Sequence, residues 1–384
     1  MISEKDIKEI LAGYDTEKIT IGVLGGHSAL DVCHGAKKLG FRTLAVCQKG
    51  REKVYAKYYK TRDARNRAGE TLGCVDDVIL VDKFADIVKP EVQEQLRKRN
   101  TIFIHNRYFW VYCNFAEIEK DFRVPIFGTR GMLKLEERDQ PKNQYYLLEK
   151  AGIRTPKIFK SPVDIDRLVL VKVNEATRGY ERAFFTAVSH DDYLKKSNEL
   201  IAEKSITKEA LEKAVIEEFI VGAHVNFNYF YSPFAGEVEL LGTDTRRQTN
   251  LDGVLRMPAW TQMALAPELQ QKMKMIETGH MAVTVKESLL EKIIDLGERF
   301  VKTTQKECAP GIIGPFALQG AVTAEDGKED IVIFDVSMRI PGSPGTRFVP
   351  YSGYLYGETV SVGERVAMEI AEGLKQGKLH ELLT

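Results

Sequence analysis

The residues best suited to chemistry lie in the apolar run IVIFDVSMR at positions 331–339. Because side chains alternate along a strand, Asp335, Ser337 and Arg339 are expected on one face. A carboxylate, a hydroxyl and a cation in this arrangement can hold Mg²⁺ on the terminal phosphates of ATP and stabilise a transferred phosphoryl group. Gln319, on the preceding predicted strand, adds an oxygen ligand if the two strands pair. A salt-bridged surface strand explains the triplet alone about equally well.

Two other segments carry groups typical of a nucleotide site. Lys172 ends the apolar run RLVLVK, where a desolvated ammonium can reach a phosphate oxygen, although an exposed lysine is the default interpretation. In VIEEFIVG, Glu217 and Glu218 precede an apolar hinge before Gly222. Such a hinge offers backbone N–H and C=O groups to an adenine edge. Taken alone, it is an ordinary edge strand.

A third candidate is the turn Gly25-Gly26-His27-Ser28, which follows the first predicted strand. In open parallel sheets, ligands bind outside the carboxyl ends of the strands. A helix that begins beside this turn favours a nucleotide phosphate, because its free N–H groups point outward. A loop histidine that caps the helix is the competing interpretation. The turn lacks the G-x-G-x-x-G spacing of a dinucleotide-binding dehydrogenase.

The composition narrows the class of protein. Lysine plus arginine equals aspartate plus glutamate at 55 each, so no overall field attracts nucleic acid or an anionic membrane. The first residues lack the apolar core of a signal peptide, and no stretch is long enough to cross a bilayer, so a cytoplasmic location is expected. The five cysteines are far apart and include no C-x-x-C pair. A disulfide framework or a zinc site is therefore not expected.

The elements that must position these residues fall into three predicted parts. In the first third, short apolar runs alternate with helical patterns, which indicates an α/β fold with a parallel sheet. After position 156, RLVLVKVN and ERAFFTAVS are predicted to form an antiparallel pair, and PFALQGAVT and DIVIFDVSMR are placed as two further strands. The expected domains are 1–130, 131–225 and 226–384. A resemblance to a known superfamily implies that they are an N-terminal substrate-binding domain, a small lobe and a large lobe.

In this order and spacing, the segments resemble the ATP-grasp superfamily, from about position 138 to position 339. LLEKAGIRTPK is similar to the entry to the nucleotide domain, and EEFIVGAH is similar to the adenine hinge. Gln319 and the segment from Asp335 to Arg339 resemble the two metal-ligand strands. The resemblance implies an ATP-grasp fold with an N-terminal parallel-sheet (pre-ATP-grasp) domain, and ATP and Mg²⁺ (or Mn²⁺) as cofactors.

A closer resemblance, over nearly the whole chain, is to the archaeal formate-dependent AICAR ligase family. It is carried by GGHSALDVCHGAKKLGF, DKFADI, VPIFGTRGMLK, IEEFIVGAHVNFNYFYSP, GTDTRRQTNLDGVLRMPA, KESLLEKI and GPFALQ. The resemblance implies that ATP phosphorylates formate and that the 5-amino group of AICAR attacks the formyl phosphate. The product is FAICAR, a formylated intermediate of IMP biosynthesis, which is part of purine biosynthesis. The expected partners are formate and an AICAR-like ribonucleotide, with no nucleic acid and no membrane.

The resemblance also implies roles for individual residues. Arg339 is expected to be catalytic, and Gln319 and Asp335 are expected to bind the metal. Expected ATP contacts are Lys172, Glu217, Glu218, Phe219, Ile220, His224 and Gln248. Expected contacts to AICAR or a related acceptor are His27, Ser28, Tyr108 and His280. Arg246 and Arg247 are further candidates for neutralising a phosphate, although paired arginines are usually solvated.

Several positions depart from the family pattern. Tyr108 stands where the pattern has serine, Gln248 where it has glutamate, and His280 where it has asparagine. The loop after Lys172 has only one glycine, and Asp335 replaces the usual glutamate of the second metal strand. Three alternatives therefore stay open: a divergent member with the same reaction, a paralogue with a different acceptor, and a nucleotide-binding protein without catalysis.

The sequence also gives an expectation for assembly. A homo-oligomer is expected. Its candidate contact segments are the aromatic runs FNYFYSPF and YSGYLYG. Core strands are the commoner place for such runs.

Overall fold

The computed structural model describes residues 2–137, 140–173, 184–247, 254, 256–264, 277–325 and 327–384. Gln248, one of the expected ATP contacts, lies outside the described residues, as does most of the loop that follows Lys172. Within the described residues, no helix has the length and apolar character needed to span a bilayer.

The first sheet contains five parallel strands in the order β3-β2-β1-β4-β5. Alternate side chains of these strands enter different apolar cores: Val23 and Ile102 pack in one, and Leu24 and Phe103 in the other. Both faces of the sheet are therefore covered, which confirms the predicted parallel α/β arrangement. The strands are β1 (Thr20–Leu24), β2 (Arg42–Gln48), β3 (Asp77–Val81), β4 (Thr101–Ile104) and β5 (Ile126–Phe127). The helices of this region are α1 (Glu4–Ala12), α2 (Ala29–Lys38), α3 (Pro90–Arg97), α4 (Arg107–Tyr112) and α5 (Phe115–Lys120).

The second sheet is small and antiparallel, with the order β6-β9-β7-β8. Its strands are β6 (Ile158–Phe159), β7 (Val169–Lys172), β8 (Phe184–Ala187) and β9 (Val215–Glu218). The predicted antiparallel pair is confirmed, because β7 and β8 pair from Val169 opposite Ala187 to Lys172 opposite Phe184. The helices are α6 (Gln144–Lys150), which precedes the sheet, α7 (His190–Ala202) and α8 (Lys208–Glu212).

The third sheet is larger and antiparallel, with the order β12-β11-β10-β13-β14. Its strands are β10 (Ala223–Ser232), β11 (Glu237–Arg247), β12 (Gly279–Ala282), β13 (Gly314–Glu325) and β14 (Lys328–Ser337). The helices of this part are α9 (Ala259–Ala264), α10 (Leu290–Glu307), α11 (Tyr351–Tyr356) and α12 (Val362–Lys375). Ile293, Leu296 and Phe300 recur at helical spacing on α10 and are buried with Tyr229 and Phe316 of the sheet. One face of the sheet is thus an apolar core, which leaves the other face for polar groups.

The chain returns to its first sheet near the end of the described residues. Val366 and Ile370 of α12 share a core with Val32 and Ala36 of α2. The two aromatic runs have different fates. Phe227, Tyr229 and Phe230 of FNYFYSPF are buried in β10, whereas Tyr354 and Leu355 of YSGYLYG are exposed.

Candidate functional site

A row of polar side chains crosses the third sheet on the face away from α10. Asn226 on β10 lies opposite both Asp244 and Gln319, and Gln319 lies opposite Asp335 on β14. Arg246, two residues beyond Asp244, lies opposite His280 on β12. Directly paired residues share a face. The sheet therefore brings the predicted metal, phosphate and acceptor residues into one row.

Gln319 and Asp335 supply the two oxygen groups at the centre of this row. The Gln319 side chain is held at both ends, because Oε1 accepts a hydrogen bond from Arg246 Nη2 at 2.7 Å and Nε2 donates to Ser337 Oγ at 3.1 Å. Asp335 is half-buried. Mg²⁺ usually takes one or two protein oxygens and completes its shell with waters and substrate phosphates. The donor set therefore fits Mg²⁺ with ATP.

Arg339 follows β14 and is buried. Its Nη2 lies 3.5 Å from Glu136 Oε2, and its Nη1 donates to the Ile340 carbonyl at 3.3 Å. Among the described residues, none accepts a hydrogen bond from its buried Nε. The Glu136 carboxyl accepts from the Met338 N–H at 2.6 Å, and burial raises its pKa to about 7 although Arg339 lowers it. Arg339 thus keeps donor capacity that an anionic ligand can use.

Lys172 is held much more tightly. Its Nζ lies 2.6 Å from Glu217 Oε1 and donates to the Phe334 carbonyl at 3.1 Å. The Tyr145 hydroxyl donates to Glu217 Oε2 at 3.1 Å. Lys172 and Glu217 are both almost fully buried. Lys172 and Glu217, which were predicted from separate segments, are therefore direct partners. The Phe334 carbonyl joins Lys172 to β14, the strand that carries Asp335.

The predicted adenine hinge lies between β9 and β10. The Glu218 carboxylate turns to Arg167 at 3.3 Å, so the hinge presents its backbone to a ligand rather than this side chain. Phe219 and Ile220 are half-buried, and the Phe219 N–H donates a hydrogen bond to the Leu168 carbonyl at 3.0 Å. His224 is exposed, with its ring centroid 5.3 Å from that of Phe334. The hinge thus adjoins Lys172 through the same phenylalanine.

The turn between β1 and α2 carries His27 and Ser28 with positive φ values of 22° and 64°. Asn106 is fully buried, and its Nδ2 donates to the carbonyls of Leu24, Gly26 and His27 at 2.9–3.1 Å. This amide fixes a turn that non-glycine residues adopt at a cost. The Ser28 hydroxyl donates to the Pro341 carbonyl at 2.6 Å, so its contact is with the loop after β14.

His27 lies near two cations, Arg339 after β14 and Arg107 at the start of α4. Burial lowers its pKa well below the usual value, and the nearby Arg339 and Arg107 lower it further. A Cβ at Gly342 would lie 2.6 Å from His27 Nε2, so this glycine lets the loop after Arg339 pack on the imidazole. The structure therefore joins His27 to the Arg339 region and keeps the imidazole neutral near neutral pH.

Tyr108 lies on the same edge of the first sheet. Its ring covers Gly26 so closely that a Cβ there would be 2.1 Å from Cε2. Arg51 donates to the Tyr108 hydroxyl at 3.1 Å, and its guanidinium lies 5.6 Å from the Tyr108 ring centroid and 5.5 Å from that of Phe84. At this position the family pattern has serine. In this chain, Tyr108 and Arg51 form an aromatic and cationic wall beside the His27 turn.

His280 completes the acceptor end of the row. Its Nδ1 lies 2.6 Å from Oδ1 of the fully buried Asp244. The candidate set predicted from the sequence omitted Glu136, Asn106, Arg107 and Asp244. Asp244 is the acid of GTDTRR, and the asparagines at 226 and 228 lie in the preceding strand. Polar residues inside such apolar strands are the one sequence signal that indicates Asp244.

Two family models match the chain: a protein of unknown function, DUF1246, over residues 21–159, and a domain of unknown function, DUF1297, over residues 192–384. Two relatives are named 5-formaminoimidazole-4-carboxamide-1-(beta)-D-ribofuranosyl 5'-monophosphate synthetase. The protein from Methanopyrus kandleri is 37% identical, with 100% of both chains covered. That from Methanothermobacter thermautotrophicus is 38% identical, with 100% of this chain and 99% of the relative covered.

Solved structures agree with the fold. The crystal structure of an IMP biosynthesis protein PurP from Thermococcus kodakaraensis has a TM-score of 0.67 and 26% identity, and covers 95% of this chain and 100% of that chain. The ADP complex of N5-carboxyaminoimidazole ribonucleotide synthetase, at 12% identity and a TM-score of 0.54, covers 85% of this chain and 71% of that chain and shares the fold alone. The predicted ATP-grasp fold is confirmed. The chain belongs to the 5-formaminoimidazole-4-carboxamide-1-(beta)-D-ribofuranosyl 5'-monophosphate synthetase family.

Proposed function

We propose that the chain is an ATP-dependent carbon–nitrogen ligase that forms FAICAR from formate and AICAR through formyl phosphate, in IMP biosynthesis. The observation that carries the proposal is the polar row of the third sheet, which aligns Gln319 and Asp335 beside Arg339 and places them next to the His27 turn. The full-length relatives bear the name of this activity. In this proposal, 1–130 contributes the acceptor site, and ATP binds between 131–225 and 226–384.

Phosphoryl transfer to formate depends mainly on positioned charge. Gln319 Oε1 and the Asp335 carboxylate would hold Mg²⁺, which, when bound, neutralises charge on the terminal phosphates of ATP. Arg339, with unused donor capacity, stabilises the charge on the transferred phosphoryl group. The hinge would hold the adenine edge through backbone groups of Phe219 and Ile220 other than the Phe219 N–H, which is bonded to the Leu168 carbonyl. Lys172, bonded to the Phe334 carbonyl of the metal strand, would add positive charge beside the phosphates.

Acyl transfer to the acceptor takes place at the first sheet. Neutral His27 supplies a hydrogen bond to the ribonucleotide without adding a second cation next to Arg339. Arg51 and Tyr108 form a wall at the same edge. Because the loop that follows Arg339 packs on His27, an acceptor bound at the turn lies next to the activated formate.

The assay is the formation of ADP and FAICAR by purified protein with ATP, Mg²⁺, formate and AICAR, omitting each component in turn. We expect FAICAR only when all four are present. Asp335→Ala should remove this activity and Asp335→Asn should raise the Mg²⁺ concentration needed for half-maximal rate. Absence of turnover by folded wild-type protein with all four components contradicts the proposal.

A second candidate keeps the ATP-grasp chemistry and changes the acceptor. The Tyr108 ring on Gly26 favours it, because the ring fills space at the acceptor edge. A site that loses or gains a buried hydrogen-bonding partner changes its selectivity strongly. Release of ADP with formate and another imidazole ribonucleotide, but not with AICAR, supports this candidate.

A further inference from the structure

Asn228 is a fully buried amide in the middle of β10. Its Nδ2 donates hydrogen bonds to Asp244 Oδ2 at 2.7 Å and to the Gly242 carbonyl at 3.3 Å. A carboxylate and a carbonyl oxygen only accept, so both contacts use the NH₂ end of the amide. The oxygen end, Oδ1, accepts a hydrogen bond from the Ser343 hydroxyl at 2.9 Å. The two contacts on β11 therefore fix which end of Asn228 meets Ser343.

Ser343 belongs to the loop that contacts the His27 turn. Pro341, two residues before it, accepts the hydrogen bond of the Ser28 hydroxyl at 2.6 Å. Gly342, immediately before it, packs on the His27 imidazole. Ser343 itself is fully buried. Its hydroxyl thus connects the loop in contact with the His27 turn to a strand of the third sheet.

The segment that follows Ser343 packs on β11 without a comparable polar contact from its buried threonine. A Cβ at Gly242 would lie 2.9 Å from the Thr346 Cβ and 2.7 Å from Val349 Cγ2, so the glycine lets this segment approach the strand closely. Thr346 is fully buried, and its Oγ1 has no hydrogen-bond partner among the described residues. Apolar packing is non-directional, whereas a hydrogen bond requires a defined distance and angle. The Ser343 hydroxyl is therefore the group suited to set the position of the loop.

We propose that Ser343, oriented by Asn228, is a positioning residue for the acceptor site. Its hydroxyl fixes the loop at Gly342, and Gly342 in turn fixes the His27 imidazole that is to bind the ribonucleotide. The inference rests on the proposed function, because it takes the His27 turn as the place of the acceptor. A misplacement of about 1 Å in a group that positions a substrate is enough to impair catalysis strongly.

The phosphoryl centre has supports of its own. Arg339, at the start of the same loop, contacts Glu136 at 3.5 Å. Gln319 donates to Ser337 Oγ at 3.1 Å, within the pair of strands that precedes the loop. Loss of the Ser343 hydroxyl should therefore act on the acceptor and much less on ATP.

The first test compares two buried serines. Ser343→Ala leaves Asn228 Oδ1 without its donor, and we expect the KM for AICAR to rise about fivefold while kcat and the KM for ATP stay near the wild-type values. Ser352→Ala is the matched control, because Ser352 is also fully buried and its hydroxyl donates to the Val360 carbonyl at 3.2 Å. It should lower stability and leave all three constants unchanged. An unchanged KM for AICAR in Ser343→Ala, or the same change in both variants, overturns the proposal.

A double-variant cycle tests whether Ser343 acts through Asn228. Ser343→Ala and Asn228→Ala each break the same hydrogen bond. If the two residues act as one unit, the double variant should raise the KM for AICAR no more than Asn228→Ala alone. Multiplication of the two single effects would show that they act independently and would refute the relay.

Hydrogen–deuterium exchange without ligands tests the positioning apart from catalysis. Peptides that contain residues 25–33 and 339–343 should exchange faster in Ser343→Ala than in the wild-type protein, and Ser352→Ala should not show this local change. If wild-type protein makes no FAICAR, the proposed function fails, and exchange still decides the positioning role. Exchange that stays at the wild-type rate in both segments of Ser343→Ala overturns it.

Discussion

Two buried ion pairs in the site differ in how fully their charges are satisfied. The Lys172–Glu217 pair has a 2.6 Å contact, with Tyr145 and the Phe334 carbonyl completing it. The Arg339–Glu136 pair has a 3.5 Å contact, and the buried Arg339 Nε has no acceptor among the described residues. The first pair therefore joins two strands of the second sheet to each other and to β14. The second leaves an arginine prepared for an anion, which is the arrangement that phosphoryl transfer requires.

The largest effect is expected for Arg339→Ala, which removes the prepared cation. FAICAR formation should fall on the order of 1000-fold, and Arg339→Lys should recover only part of it because an ammonium lacks the planar fork. Steady-state rates at saturating ATP measure this change. Arg299→Ala is the control, since that guanidinium pairs with Asp295 on α10. Activity near the wild-type level in Arg339→Ala would mean that the Arg339–Glu136 pair is only structural.

Breaking the Lys172–Glu217 pair should lower stability, in addition to removing the ATP contact proposed for Lys172. Lys172→Met leaves the Glu217 carboxylate buried without its cation, so the free energy of unfolding should fall by roughly 3–5 kcal/mol. Urea denaturation followed by circular dichroism measures it. The double variant Lys172→Met with Glu217→Leu should recover most of the loss. No recovery would show that Lys172 stabilises the fold through Phe334 rather than through Glu217.

The Arg339–Glu136 pair should also make the stability depend on pH. The folded-state pKa of Glu136 is about 7, above its ordinary value of 4.5, so the folded protein binds more protons between these values. The free energy of unfolding should therefore decrease as pH rises through this window, by roughly 3 kcal/mol. Glu136→Gln should flatten the profile measured without ligands. An unchanged profile in this variant contradicts the assignment.

The smallest effect is expected at the acceptor wall. Tyr108→Ser removes the ring from Gly26 and the bond from Arg51, so KM for AICAR should rise about tenfold with little change in KM for ATP. Tyr108→Phe keeps the ring and should change KM for AICAR much less. A lower KM for AICAR in Tyr108→Ser would show that the ring excludes AICAR, which favours the paralogue.

The parts of the site that depend on strand alternation were predictable from the sequence. Gln319 and Asp335 lie opposite one another as expected, because both belong to apolar runs with a clear period of two. Lys172 ends its strand as expected. The catalytic and binding roles of these residues stay predictions, since they depend on ligands.

The partners of those residues were not predictable, for physical reasons. Glu136 lies in the 3-10 segment Arg130–Glu136, and its contact with Arg339 spans about two hundred positions, a distance at which local patterns carry no information. The Ser28 hydroxyl was expected on a substrate. Its bond to the Pro341 carbonyl depends on how the first and third sheets approach one another, which no local pattern reports.

The packing of Gly342 on His27 has a consequence for redesign. Residues 339–342 link the two sites. Arg339 begins this segment, Pro341 accepts the Ser28 hydrogen bond, and Gly342 ends it in contact with the His27 imidazole. In a chimera that takes only the first sheet from a relative, the turn of the relative would have to pack against the Gly342 loop of this chain. A graft intended to change the acceptor must therefore carry both segments, and libraries that vary the turn must vary the loop with it.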